Sequence, residues 1–544
     1  MGIPYYFYAI TQKYRGILQS ATPEIDYYFF DFNGVIHPVC RHVMKAWQER
    51  NGAGAGAGAA ARDAFENDVC RASWEFSSML IERMHPKIGT GIFIDGVAPV
   101  AKINQQRKRR YLSVMRQKME GVRMMWDTNA ISPGTDFMAR MTTYLREHAA
   151  DRLCVLSTAD ETGEGEHKIF EYIKEHDIGR SRIAIHGLDA DLIMLSLLSH
   201  LPHIYLVREN KSSTVEEPSL SYLGITALRS GILREFTEYG CGSVISDALS
   251  KGDVFCKEAC DYIESYVVAC FLLGNDFLPH PATLSLKKQG IDKVMRSLCD
   301  AQQFYGATLV QDDTVNLTIL NKILEALAAT EDVDMMKVNE EYLKQRAYLD
   351  KPEDAIEYYP IIPKNKARLA QLLYNMPSGG RWRSTYYKEL FCAPKERLDS
   401  GLILQACKNF MVGVVWTYRY YKRLPKDAMW YYPYNYGPTL LDLSNYLLTE
   451  QAWLETLQKE WEARAGAGEV GGVSSAVQLL SIMPIESAPI LPRAVARVME
   501  TEGMGCTHMF PVAYPIQTYL KTHLWECVPV LPPIDFARIA RALA

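Results

Sequence analysis

Residues 153–198 read LCVLSTADETGEGEHKIFEYIKEHDIGRSRIAIHGLDADLIMLSLL. An apolar run, LCVLST, gives way to an acidic loop and then to a stretch with apolar residues at helical spacing. A second apolar run, RIAIHG, is followed in the same way by LDADLIML. Apolar runs this short are too brief for buried helices and suit buried strands, and the helical stretches between them predict a β-α-β-α order with parallel strands. Working outward, YYFFDF (27–32), GIFID (91–95) and IYLVR (204–208) have the same character. The first 300 residues are therefore expected to form an α/β domain with a largely parallel sheet flanked by helices.

Further along, residues 301–360 read as a helical, charged linker. Residues 361–544 are rich in Tyr, Trp and Pro, with helices expected at 401–421 and 473–483 and no further strand-helix alternation. This second, mostly helical region is expected to pack around the first and complete its pocket. RNGAGAGAGAAAR (50–62) and RAGAGEVGG (464–472) lack an apolar face and read as flexible insertions.

Composition narrows the function. The 544 residues are 48% hydrophobic and 23% charged, which excludes wholesale disorder, and the size predicts two to four domains at roughly 150 residues each. Lys+Arg 59 against Asp+Glu 64 gives a net charge of −5, so any polyanion site must be local. No apolar run approaches the roughly 18 residues of a membrane span, and the N-terminus has no signal-peptide pattern. A protein of the cytoplasm is expected, the nucleus being the other compartment open to it. The twelve cysteines form no zinc or disulfide spacing and are expected to be reduced, mostly buried thiols.

In a parallel sheet, ligands bind beyond the carboxyl ends of the strands. Here those ends carry acids: Asp31 after the first run, Asp95 after the second, Glu164 and Glu166 in the GEGEH loop, and Asp189 and Asp191 in LDAD. A helix expected at 261–273 adds Asp276 in GNDFLP. Glu166 shares a helical face with Ile169, Phe170 and Ile173, so it points where the apolar stripe points. A lone acid at a helix N-terminus is ordinarily a structural cap. Seven at element ends are different, because crowded carboxylates repel unless cations neutralise them. With no His or Cys set to favour zinc, Mg²⁺ or Mn²⁺ is the expected cofactor. Two such ions about 4 Å apart activate water and stabilise the leaving oxygen of a phosphodiester.

The polyanion site follows directly. Between Lys102 and Arg123 stand eight basic residues and one acid. Lys102, Gln106, Arg109 and Arg110 fall on one helical face and could converge on a phosphate. His37 in DFNGVIH reads either as an ordinary polar residue at a strand boundary or as a substrate contact. In MWYYPYNYGP, Pro and Gly interrupt any periodic stripe, so its aromatics suit a loop that stacks unpaired bases; spacing does not choose among the five.

The segments MGIPYYF, DFNGVIH, FIDGVAPVAKINQQRKRR, TGEGEHKIFEYI, HGLDADLIML, LLGNDFLPH, MWYYPYNYGP and VPVLPPIDFARI, in this order from residue 1 to about 541, resemble the XRN-type 5′-to-3′ exoribonucleases, relatives of the flap-endonuclease and PIN-like nucleases. The resemblance implies a PIN/flap-nuclease-like sheet. It makes Asp31, Asp95, Glu164, Glu166, Asp189, Asp191 and Asp276 the catalytic metal-binding acids. Lys102, Gln106, Arg109 and Arg110 would bind a 5′ phosphate, and His37 and Trp430 would stack the terminal bases. It implies stepwise hydrolysis of 5′-monophosphorylated single-stranded RNA to nucleoside 5′-monophosphates in RNA decay or processing, by a monomer whose decapping or decay-factor partners the sequence does not identify. The chain departs from the family pattern in a shortened helix after QQR, in Thr162 where proline is usual, and in lacking a zinc knuckle and the additional C-terminal domains of large relatives. A catalytically silent RNA-end-binding scaffold and a structure-specific DNA flap endonuclease are the competing readings; the full set of seven acids stands against the first.

Overall fold

The apolar runs pair into one sheet because each is buried through its middle: Tyr28, Phe29 and Phe30 are wholly enclosed, as are Ile92, Ala184 and Ile185. The computed structural model describes residues 3, 5–51, 58–121, 125–187, 189–210, 214–215, 217–241, 243–344, 373, 381–392, 397–464, 472–521 and 523–544. Its main sheet has seven strands: β1 (Leu18–Gln19), β2 (Tyr27–Asp31), β3 (Gly89–Phe93), β4 (Val155–Ser157), β5 (Ile183–His186), β6 (Ile204–Glu209) and β7 (Leu220–Gly224). They are ordered β1-β7-β6-β5-β2-β3-β4. The five expected strands are all present and parallel, from β6 through β5, β2 and β3 to β4. β7 and β1 extend the sheet antiparallel. Neither was legible in the sequence: β1 is two exposed residues, and β7 runs straight into the helix Ile225–Glu238.

Register places the chemistry. Asp31 pairs with Phe93, Phe93 with Ser157, and Phe30 with His186. Parallel strands so aligned end at the same edge, and the loops that follow β2, β3, β4 and β5 all leave from it.

The chain divides into two compact units, each discontinuous in sequence. The sheet unit comprises Tyr14–Leu228, Gly472–Ala513 and Leu531–Ala544. Its core joins sheet residues such as Phe30 and Ile92 to Leu480, Val498, Phe510 and Ile539 from the C-terminal pieces. The linear expectation placed divisions at residues 300 and 360; the grouping in space instead sends residues 472–513 and 531–544 back to the sheet. The other unit comprises Met1–Lys13, Arg229–Gly471 and Tyr514–Val530. It is mostly helical, with a cluster of buried aromatics that includes Trp382, Tyr386, Tyr387, Tyr436 and Tyr519.

The helices expected at 401–421 and 473–483 appear as Ser400–Tyr421 and Ser475–Ile482. The one expected at 261–273 is Lys257–Cys270 followed by a 3₁₀ turn, Phe271–Leu273. Helices Arg381–Leu390, Leu440–Arg464, Arg493–Glu500 and Phe536–Leu543 were not anticipated. The first insertion needs correction at its end. Residues 52–57 lie outside the described residues, but Ala59–Arg62 open the helix Ala59–Met84, because three consecutive alanines carry the highest helix propensity. Residues 345–360 of the expected linker and 465–471 of the second insertion also lie outside the described residues. Among the described residues no helix is long and apolar enough to cross a membrane. Eight of the twelve cysteines are buried.

Candidate active site

Six of the seven acids belong to the sheet unit. Asp31 closes β2, and the chain turns at once into the helix Asn33–Asn51, with Phe32 N–H donating to the Phe93 carbonyl at 2.9 Å. Asn33 Nδ2 donates to Asp95 Oδ2 at 2.7 Å, and Gly165 N–H donates to Asp95 Oδ1 at 2.7 Å. Both oxygens of Asp95 are thus aimed by the two adjoining loops. Gly165 has to be glycine: a Cβ there would stand 2.9 Å from Asp31 Oδ1 and 2.8 Å from the Phe93 carbonyl oxygen. This accounts for the residue between Glu164 and Glu166.

Glu164 is the N-cap position of the helix Gly165–Glu175, and Asp191 is the first residue of the helix Asp191–Leu198. Glu164, Glu166 and Asp191 are 3%, 6% and 2% exposed, so they are not the solvated caps a lone acid would be. Burial, followed by the charges of Asp95 and Asp189, holds the Asp31 carboxyl well above the usual carboxylate range; Lys102 opposes this and Glu164 adds to it. Burial and Asp191 raise Glu166 in the same way, with Lys102 opposing and Glu164 and Asp31 adding. That each feels the charge of the others means that these acids share one neighbourhood.

The structure gives Lys102 a place the spacing did not. Its ammonium, buried, lies 2.6 Å from Glu164 Oε2 and 4.0 Å from Asp191 Oδ2. The residue that shares a helical face with Gln106 and Arg109 is therefore the cation among the carboxylates. Among the described residues no three His, Cys, Asp or Glu side chains close into a ready-made metal cage. The donor chemistry still fits a hard divalent cation: oxygen ligands throughout, and two of them, Asp31 and Glu166, raised by neighbours whose charge such an ion would offset.

Lys168, in the same GEGEHK segment, has a different task. Its buried ammonium donates to the Ile94 carbonyl at 2.9 Å and the Thr158 carbonyl at 2.8 Å, tying the end of β3 to the end of β4 just before their acids. Its partners are backbone atoms, so no spacing rule in the sequence could have found it.

The basic helix runs Val100–Glu120. Arg107, one of the eight basic residues, is no phosphate ligand: it is buried, and its guanidinium donates to the Pro532 carbonyl at 2.6 Å and the Met509 carbonyl at 2.5 Å. Arg110 donates to Ser132 Oγ, and burial followed by Arg109 lowers its guanidinium to about 10. Gln106 Oε1 is buried with no hydrogen-bond partner, and exposed Arg109 has neither an ion pair nor a hydrogen bond among the described residues. His37 lies one turn into the helix Asn33–Asn51. Burial lowers its imidazole to about 4, and the charges of Arg109, Arg41 and Arg110 act in the same direction. The charges of Arg109, Arg110 and Arg41, the last one helical turn beyond His37, thus all reach the imidazole. Arg41 lies four residues past DFNGVIH, the segment read for its histidine.

Asp276 and Trp430 belong to the helical unit. Asp276 is half-buried in the loop after Phe271–Leu273, where Asn275 Oδ1 accepts from the Phe277 and Leu278 N–H groups, each at 2.9 Å. The loop of MWYYPYNYGP sorts its aromatics. Tyr432 and Tyr436 are buried, and their hydroxyls donate to the Tyr436 and Tyr519 carbonyls. Trp430 packs at 5.0 Å from the Trp416 ring and stays partly exposed, its indole N–H without a hydrogen-bond partner among the described residues. Trp430, Tyr431 and Tyr434 are thus the aromatics of this loop that keep surface for a ligand.

Two family models match the chain. One, described as XRN 5′-3′ exonuclease N-terminus, matches residues 1–210; the other, Xrn1 helical domain, matches 258–361 and 378–544. Among curated proteins, 5′-3′ exoribonuclease 1 of Homo sapiens is 25% identical across 100% of this chain, which spans 34% of that protein. The 5′-3′ exoribonuclease 2 of Gallus gallus is 24% identical, with 100% of this chain and 70% of the relative covered. For 5′-3′ exoribonuclease 1 of Saccharomyces cerevisiae the figures are 24%, 100% and 43%. An acid-lined edge of a parallel sheet beside a basic helix, and two consecutive family matches that together take in most of the sequence, lead to one assignment: the chain belongs to the XRN 5′-3′ exonuclease family.

Proposed function

We propose that this chain is a 5′-to-3′ exoribonuclease that hydrolyses 5′-monophosphorylated single-stranded RNA stepwise to nucleoside 5′-monophosphates, using Mg²⁺ or Mn²⁺. The observation that carries this reading is the gathering of Asp31, Asp95, Glu164, Glu166, Asp189 and Asp191 at one edge of the sheet, with His37 and the exposed Arg109 alongside. Family membership supports the direction and the substrate class.

In this reading the six carboxylates of the sheet unit would hold the divalent ions, and the part of Asp276 is only what the resemblance implies. A divalent cation held by these carboxylates would supply charge to polarise a phosphate and to lower the pKa of water. The chain's own residues do the rest. Asn33 and the Gly165 N–H keep Asp95 from rotating. Lys102 balances the negative charge at Glu164 and Asp191. Arg109, Gln106 and Arg110 present donors for a terminal phosphate, which favours a monophosphate over a hydroxyl. His37 is uncharged at neutral pH and offers a flat, neutral ring to a base. Trp430 offers a second.

The test is direct. Purified protein is incubated with end-labelled RNAs bearing a 5′ phosphate, hydroxyl or cap, and with a DNA flap, in Mg²⁺ or in EDTA. Mononucleotides released from the 5′-phosphorylated RNA alone, and only with metal, are the expected products. Internal cuts in the flap would favour the endonuclease reading, and tight 5′-end binding without cleavage would favour the scaffold.

A further inference from the structure

Five residues, Asp95 to Pro99, join the acidic edge of the sheet to the basic helix, and they form neither helix nor strand. Both edges of this loop are nevertheless bonded. On one side Gly96 N–H donates to the Gly163 carbonyl at 2.8 Å, and Gly163 N–H returns to the Val97 carbonyl at 2.8 Å. On the other stands Gln478, wholly buried on the helix Ser475–Ile482. Its Oε1 accepts from Ala98 N–H at 2.7 Å, and its Nε2 donates to the Gly96 carbonyl at 3.2 Å. The carboxamide thus behaves like one residue of a neighbouring strand, supplied 380 positions further along the chain.

The helix that carries it is well seated. Ser474 Oγ accepts from Val477 N–H at its start, and Leu479 and Leu480, next to Gln478, sit in the core of the sheet unit. Without the carboxamide, a buried N–H and a buried carbonyl on the Asp95 side of the basic helix would lose their partners, and the loop would be held along one edge only.

We propose that Gln478 is a positioning residue that fixes the separation between the Asp95 carboxylate and the donors of the basic helix, and so sets the number of nucleotides between the held 5′ end and the bond that is cut. The proposal rests on the exonuclease reading above. If the terminal phosphate is held by the helix and cleavage occurs at the acids, the rigid Asp95–Pro99 loop is the ruler between them. A ruler free to shift by about 1 Å loses alignment worth about a hundredfold in rate, and it loses its single stop.

The experiment uses the full chain with RNA carrying a labelled 5′ phosphate, so the first product reports its own length. Wild type is expected to release labelled mononucleotide only. Q478A is expected to cut at least about tenfold more slowly and to release labelled dinucleotide alongside mononucleotide, with an unchanged circular dichroism spectrum. Q478M keeps the length of the side chain and removes both its donor and its acceptor without adding a charge; it is expected to change product length in the same direction and decides the matter should Q478A not fold. A folded variant that releases mononucleotide only, at the wild-type rate or at a rate lowered merely in proportion to its folded fraction, overturns the positioning role. Wild type that releases no labelled mononucleotide overturns the exonuclease reading itself, and the positioning role with it.

Discussion

Gly96 follows Asp95, and its replacement by alanine isolates the geometry of the loop from its charge. A Cβ at this position would stand 2.8 Å from the Glu161 carbonyl carbon, nearer still to its oxygen, and 3.3 Å from the Ala159 carbonyl oxygen. Carbon atoms pack at about 3.5–4.0 Å, and the closer carbonyl oxygen sets the clearance, so the two loops must part by about 1.5 Å. Parting them breaks the paired bonds between Gly96, Val97 and Gly163. At about 1 kcal/mol net per bond the loss is about 2 kcal/mol. A domain stable by about 5–15 kcal/mol survives that, so G96A is expected to fold. Asp95, next in the chain, would shift by a comparable distance, and such a misplacement costs about a hundredfold in rate. Single-turnover cleavage of 5′-phosphorylated RNA, run beside urea denaturation, reads both quantities. A folded G96A that cleaves at the wild-type rate would refute the claim that this loop aims Asp95.

Asp191→Asn and Glu166→Gln each remove a charge with little change of shape, so both should abolish cleavage while leaving the thermal unfolding midpoint in place or higher; a product ladder from both variants would remove the acids from the mechanism. Two neighbours on the basic helix should separate cleanly. Arg109→Ala is expected to leave stability unaltered and to shrink the preference for a 5′ phosphate over a 5′ hydroxyl at least about tenfold. Arg107→Ala, which strips the buried Met509 carbonyl and the half-buried Pro532 carbonyl of their donor, should cost about 2–4 kcal/mol in a denaturation curve. His37 titrates near 4 in the folded chain and near 6.5 when unfolded, so between those values the unfolded chain binds the extra proton. Stability should therefore rise with pH across that window through this residue, and H37N should flatten the slope; an imidazole NMR titration centred at 6.5 in the folded protein would contradict it. Trp430→Ala is expected to turn long runs of degradation into early release of partly shortened RNA, as measured with excess unlabelled trap RNA, while the first cut proceeds at the wild-type rate.

The residues that can be read in isolation were legible in the sequence. Apolar runs of strand length separated by helical spacing announce a parallel sheet wherever they fall, and such a sheet has one edge where the loops collect, so Asp31, Asp95, Glu164, Glu166, Asp189 and Asp191 could be named from position alone. Local pattern also located the basic helix and singled out His37. Charge density could not say which cations of that helix are free. Arg107 and Arg109 look alike in a run of basic residues, yet one is spent on the Met509 and Pro532 carbonyls and the side chain of the other has no partner among the described residues. Lys102 has the spacing of a phosphate ligand and lies against Glu164, because its surroundings are set by a helix some 60 residues away. Gln478 gave no signal at all. An amphipathic helix reveals that it buries one face and leaves unstated which surface receives it, and a carboxamide that bonds to backbone leaves no mark on the side chains it serves. Pairings made through main-chain atoms across 380 positions exist only once the chain has folded, and it is these that hold the Asp95 loop in its place beside the basic helix.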